Sequence, residues 1–261
     1  MGTPNVGALT SNSFRSLDRF ACSTVEHRDS SGSVSKGKVS PVESRSSAAS
    51  EALRPEFFRR EDEGDDGLFY AEPRLVVHID EHATAALREY FARVLPQNGV
   101  ILDLMSSWRS HLPDALPVRK LVGLGLNSTE MAENPQLGES VVHDLNSDPE
   151  LPFEDRSFDA ALVTVSIQYM IRPVEVFNQV NRVLKDGAKF HVIYSNRMFS
   201  AKAIWIWRAL DDARRAQLVG SYFAQSDGWE AIQATDISPT LDSYSDPLHA
   251  VSARKVGART E

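Results

Sequence analysis

The sequence predicts a doubly wound α/β fold: a seven-stranded, mostly parallel sheet with a C-terminal antiparallel hairpin and helices on both faces. Three observations predict it. From residue 100 onward short apolar runs alternate with helical stretches, the order that builds a parallel sheet covered on both sides. The stretch 173–185 carries one apolar stripe (Val174, Phe177, Val180, Val183, Leu184), with Pro173 suited to a first helical turn and Gly187 to the residue after the C-cap. The runs 229–236 and 248–255 are strand-like with only Pro239, Asp242, Ser243 and Asp246 between them, which reads as a hairpin at the sheet edge.

The elements follow in chain order. Residues 1 to about 50 are Ser-rich, with few large apolar side chains to offset the entropy of ordering, and are expected to be disordered. Arg15, Arg19 and Arg28 suit a plastid or mitochondrial transit peptide, while Asp18, Glu26 and Asp29 oppose one. The acidic run 61–66 reads as a solvated linker, so the expected division is a disordered segment and linker over 1–66 and one domain over 67–261. Ala83, Leu87, Tyr90, Phe91, Val94 and Leu95 keep helical spacing, Asp80 stands where an N-cap belongs, and PQNG at 96–99 breaks the chain. Strands are expected at 100–104, 120–126, 140–143, 158–165 and 189–194. Pro113 and Pro117 shorten the helix after the first.

Composition narrows the function. A net charge of −8 without a dense Lys/Arg run gives no electrostatic footprint for nucleic acid or an anionic membrane, so the expected partner is a small molecule. Cys22 is the only cysteine, which excludes an intramolecular disulfide and a cysteine-based zinc site. No apolar run reaches the roughly 18 residues of a membrane span. A cytoplasmic location is expected, or a plastid one if the N-terminal segment is a transit peptide.

In such a sheet ligands sit beyond the carboxyl ends of the strands, at the switch point of strand order. The informative residues are therefore DLMSSW at 103–108, GLNS at 125–128, DLN at 144–146 and SIQY at 166–169. Together with LPFEDRSFD at 151–159 and VLKDG at 183–187, they resemble the Rossmann-like class I S-adenosylmethionine-dependent methyltransferases, more closely the methyltransferase type 11 group, over about 98–195. The resemblance implies S-adenosylmethionine as cofactor. It places Asp103 on the cofactor's amino group, Asp144 on the adenine amine and Leu145 beside the ring. Ser166 and Gln168 fall where relatives contact the methionine end or the substrate.

Two departures accompany the resemblance. The family's Gly-x-Gly loop, which lets backbone amides approach a ligand without a Cβ in the way, is here Met105, Ser106 and Ser107. Serines still present amides and hydroxyls, but a non-glycine residue at positive φ is strained. The acid expected at the end of strand two is Gly125, and Asn127 is a weaker substitute toward the ribose hydroxyls. Tyr70 and Arg74 fall on the expected lid over the acceptor. His78 or Tyr169 serves as base only if the acceptor carries a proton.

His78, Asp80 and His82 form a metal-like pattern, but a helix cap at Asp80 points the histidines apart, so no metal is expected. Trp205, Trp207, Trp229, Tyr222 and Phe223 read either as packing of an insert on the sheet or as one wall of an apolar pocket. Methyl transfer to a small or medium acceptor is the expected function, and a non-catalytic binding or assembly module is the alternative. A nicotinamide-dependent dehydrogenase needs a Gly-x-Gly-x-x-Gly turn that 105–110 does not supply.

Overall fold

Alternate residues of each central strand enter two separate cores. In the computed structural model, which describes residues 53–241 and 243–257, β1 (Val100–Leu104) sends Leu102 and Leu104 to one side and Ile101 to the other. β4 (Phe158–Thr164) divides Ala161 and Val163 from Ala160 and Leu162 in the same way. A strand buried on both faces has no reason to alternate polar with apolar residues, and neither strand does.

β2 (Lys120–Gly125), β3 (Glu139–Val142), β5 (Leu184–Tyr194), β6 (Trp229–Asp236) and β7 (His249–Lys255) complete one seven-stranded sheet of order β3-β2-β1-β4-β5-β7-β6. β3 through β5 pair parallel, and β7 runs antiparallel to both β5 and β6. The strand order reverses between β1 and β4, which opens a crevice beyond their carboxyl ends.

Helices cover both faces, as expected. α2 (Glu81–Val94) is capped by Asp80, whose carboxylate accepts from the Ala83 amide at 2.9 Å, and it buries Ala83, Leu87, Tyr90 and Phe91 on one face. α4 (Pro173–Val183) and α6 (Asp212–Gln225) cover the other. Phe177 anchors that side, with its ring centroid 4.6 Å from Phe223 and 4.9 Å from Phe190. Cutting it to alanine would remove about 3–5 kcal/mol of stability. α1 (Asp66–Phe69), α3 (Ser128–Ala132) and α5 (Trp205–Ala209) are single turns.

Three sequence expectations change. All of 105–119 is described, and it forms no helix, so Pro113 and Pro117 remove the helix after β1 rather than shorten it. α4 ends at Val183 and β5 begins at Leu184, its C-cap, so Gly187 lies inside a strand and its φ of +76° is not that of a helix cap. The acidic run is no solvated linker at its end. Asp66 is buried against Arg60 at 2.7 Å and Lys202 at 3.1 Å, and Lys202, itself fully buried, donates to the Gly64 carbonyl. Phe57 stacks on Trp205 with ring centroids 5.7 Å apart, so residues from 55 onward pack on the domain. Of the two readings of the aromatic cluster around the insert, packing holds: Trp207, Tyr222 and Phe223 are buried in the α4–α6 core. The expected disorder and transit peptide of 1 to about 50 fall outside the described residues. Among the described residues no helix is long and apolar enough to cross a membrane.

Candidate cofactor-binding cleft

Beyond the carboxyl ends of β1, β2 and β4 lies a cavity of about 420 Å³, within the size range of ligand pockets. Asp103 and Asp144 both line it. Asp103, next to last in β1, is buried, and its Oδ2 accepts from Ser106 Oγ at 2.8 Å and Ser110 Oγ at 2.6 Å. Burial pushes its carboxyl up to about 6, and the two serine hydroxyls pull only partly the other way. Asp144 follows β3, half-buried, with Oδ1 accepting from the Asn146 amide at 2.9 Å. Leu145 is buried between it and the core. Met105 and Trp108 form part of the wall and leave the crevice open.

The loop after β1 solves the missing glycines in an unexpected way. Met105 adopts φ +54°, the left-handed conformation that a glycine there would take without strain. Ser106 then donates its amide to the Leu124 carbonyl at 2.8 Å. Its own carbonyl lies where a Cβ on Gly125 would stand, 2.2 Å from that position. The glycine needed for close backbone approach has thus moved from the loop to the tip of β2, and no acid fits at 125.

Asn127 does not take the acid's place. Its Oδ1 accepts from the Glu130 amide as the N-cap of α3, and its Nδ2 donates to the carbonyls of Tyr70 at 2.8 Å and Ala71 at 3.1 Å. The carboxylate of this region is Glu130, which sequence reasoning missed. It is buried on the cavity wall, accepting from Ser107 Oγ and the Arg74 amide, each at 2.6 Å. The spacing Asn127-x-x-Glu130 is a capping-box signature, and it was the available signal. Here the glutamate turns away from the cap to hold two loops instead.

An extended strap, residues 70–79, roofs the cavity. Besides the bonds to Asn127 and Glu130, its Val76 carbonyl accepts from Trp108 Nε1 at 2.9 Å. The predicted lid residues Tyr70 and Arg74 both face the cavity, and so does His78 at its mouth. Partial burial lowers the His78 pKa from the usual imidazole value, so the ring is neutral near pH 7 and free to accept a proton.

Tyr169 and Ser166 also line the cavity. Tyr169 is poorly suited as a base: burial raises its pKa, and its oxygen already accepts from the Phe199 amide at 2.8 Å. Gln168 is the misplaced residue. It is fully buried behind the wall, donating to the carbonyls of Val165 and Arg197, so it fixes the loop rather than meeting a ligand. Arg197 and Phe199, in the loop after β5, complete the wall opposite Tyr70.

Six strands pointing one way, a reversed β7 and a ligand-sized cleft at the switch point define the class I methyltransferase type of Rossmann-like fold. Residues 114–192 match the family model described as a methyltransferase domain. The altered loop at 103–108 lies outside that match. A search of curated proteins finds no match to the sequence. Among solved structures, a chain of the complex between the Haloferax volcanii Trm112 methyltransferase activator and the putative methyltransferase is similar at TM-score 0.50 and 14% identity, covering 69% of this chain and 92% of that one. The [4+2]-cyclase SpnF is similar at TM-score 0.50 and 16% identity, covering 74% of this chain and 92% of that one. The chain is therefore similar to the class I S-adenosylmethionine-dependent methyltransferases, in sequence over 114–192 and in fold across the sheet.

Proposed function

We propose that the chain transfers a methyl group from S-adenosylmethionine to a small or medium acceptor. One observation carries the reading: Asp103 and Asp144, from the ends of β1 and β3, line a single cavity at the switch point. The residues fit the cofactor at these two places. A buried carboxylate with hydroxyl partners alone suits an ammonium group, and the half-buried Asp144 with Leu145 beside it suits the edge and face of adenine. When bound, the cofactor supplies an electrophilic sulfonium methyl, already activated for displacement. The protein's own part is then to align the acceptor, exclude water and, for an acceptor that carries a proton, receive it at the neutral His78 imidazole.

Calorimetric titration with S-adenosylmethionine and S-adenosylhomocysteine tests the reading. Asp144→Ala should weaken binding by about 1–3 kcal/mol, the usual loss when one partner of a buried polar contact is removed. Unchanged affinity would take Asp144 out of the site. The second reading, a binding module without methyl transfer, is favoured by the Ser106 carbonyl standing where relatives place a ribose-binding acid. The likeness to a cyclase also shows that this fold hosts other chemistry. Absence of heat with either ligand would favour that module.

A further inference from the structure

The strap carries a permanent charge that the protein does not balance. The Arg74 guanidinium lies 4.7 Å from the ring centroid of Phe69, 5.6 Å from Tyr70 and 5.3 Å from Phe199. Its Nη2 is pinned by the Phe69 carbonyl at 2.9 Å. Its Nη1 is buried and has no hydrogen-bond partner, and the Tyr70 hydroxyl is in the same condition. Both residues line the cavity.

The acids of this end are occupied elsewhere. Asp66 serves Arg60, Lys202 and Asn146, while Glu130 accepts from Ser107 and from the backbone of Arg74. Among the described residues Arg74 makes no ion pair. A guanidinium cannot lose its proton, and a buried donor of it left without a partner is unfavourable. Two unpartnered donors from residues that line one cavity, one guanidinium lying over the other's ring, therefore mark the place of an anion.

Three rings shape the space in front of them. Tyr70 stands edge-on to Tyr169 and Phe199, with centroids 6.5 and 6.4 Å apart, and Tyr169 stacks on Phe199 at 6.1 Å. An aromatic wall of this kind favours a flat, apolar body over a flexible chain. The guanidinium reaches across to Phe199, beyond β5, whereas Asp103 sits at the carboxyl end of β1. The anion is thus drawn to the acceptor side of the cleft.

We propose that Arg74 and Tyr70 form a carboxylate-receiving corner and that the methyl acceptor is a planar, ring-bearing acid. Only the word acceptor rests on the methyl-transfer reading; the corner is defined by its own groups. The competing source of a carboxylate is the methionine end of the cofactor.

Calorimetry with benzoate, benzamide and acetate on the full chain, with S-adenosylhomocysteine saturating, separates the cases. Benzoate should bind at least tenfold tighter than either benzamide or acetate. Arg74→Gln should erase the preference for benzoate over benzamide while changing cofactor affinity less than threefold. Tyr70→Phe, which deletes only the unpartnered hydroxyl, should weaken benzoate severalfold without lowering the melting temperature, and it stands in should Arg74→Gln not fold. Equal binding of benzoate and benzamide, or binding of neither, overturns the proposal. So does a tenfold loss of cofactor affinity in Arg74→Gln with benzoate unaffected, which would give the corner to the cofactor. If S-adenosylhomocysteine itself does not bind, the methyl-transfer reading fails. The corner is then judged by the same benzoate preference in the cofactor-free protein.

Discussion

Putting back the acid that relatives carry at the end of strand two should damage this protein. In Gly125→Asp the new Cβ would stand 2.2 Å from the Ser106 carbonyl oxygen, a backbone atom, and 3.3 Å from Met131 Sδ. Restoring even a 3.0 Å contact makes the carbonyl retreat by about 0.8 Å. Ser106 cannot retreat freely, because its amide donates to Leu124 O at 2.8 Å and its hydroxyl to Asp103 at 2.8 Å. Overpacking costs about 1–3 kcal/mol, and weakening those two bonds adds about 1 kcal/mol or more, so the expected loss is about 2–4 kcal/mol. For a domain of this size that is a fall in melting temperature of roughly 5–15 °C. Cofactor affinity should fall as well, since Asp103 loses a hydroxyl partner. Gly123→Ala is the control: its Cβ meets Leu137 Cδ1 at 2.6 Å, but that is the end of a rotatable side chain, and the loss should stay near about 1 kcal/mol. Thermal unfolding and calorimetric titration of both variants give the answer. A Gly125→Asp protein as stable as wild type that binds the cofactor more tightly would refute the account of the loop.

Three further outcomes follow from the same geometry. Asp103 has its pKa raised to about 6 by burial, and a cationic ligand group prefers the ionised form, so cofactor affinity should rise with pH. It should be about tenfold weaker near pH 5 than near pH 7 and flat above that; a flat profile in titrations across this range would detach Asp103 from the ligand. In the ligand-free protein the sign for stability is opposite. A raised carboxyl pKa gives stability that is present below the unfolded value near 3.9 and is lost as pH rises past about 6. Asp103→Asn, read by denaturant unfolding near pH 8, should therefore be at least as stable as wild type while binding cofactor more weakly. Lys202→Met should cost about 3 kcal/mol, the low end for breaking a buried pair because Arg60 still holds Asp66. The same denaturant series measures it, and a neutral result would mean that residues 55–66 add nothing to the domain.

The sheet was legible because its signals are local. β1 and β6 match their predicted bounds residue for residue, each an apolar or β-rich run closed by breakers. The same applies to Asp80 as a cap and to Asp103 and Asp144 at strand ends. The strap and the N-terminal packing were not legible, because they are made of long-range contacts between segments without periodicity. Arg74 meets Glu130 across 56 residues, Lys202 meets Gly64 across 138 and Arg208 meets Glu61 across 147. Glutamate 61 and aspartate 66 look alike in the sequence, as members of one acidic run; only the partners at 60, 202 and 208 tell a surface ion pair from a buried one. Gln168 failed for the opposite reason. Its position was read correctly, next to the cavity, but side-chain direction in an irregular loop has no sequence period to betray it.

The two departures from the family pattern read, in the sequence, as damage to a cofactor site. In the structure they are one exchange. Met105 keeps the left-handed backbone that a glycine loop has, and the room that the loop no longer provides is supplied by Gly125. Backbone strain of this kind persists where the surroundings enforce it. A relic scaffold has no reason to retain it beside a buried carboxylate. Asp103 weighs on the same side. Its pKa is set by burial and two serine hydroxyls, with no basic side chain contributing. In the free protein that charge lowers stability, and a cationic ligand would offset the loss. A cleft with an anion lacking a counter-ion at one end and a guanidinium lacking an ion pair at the other matches the proposed function, which calls for a ligand that carries both charges or for two ligands that carry one each.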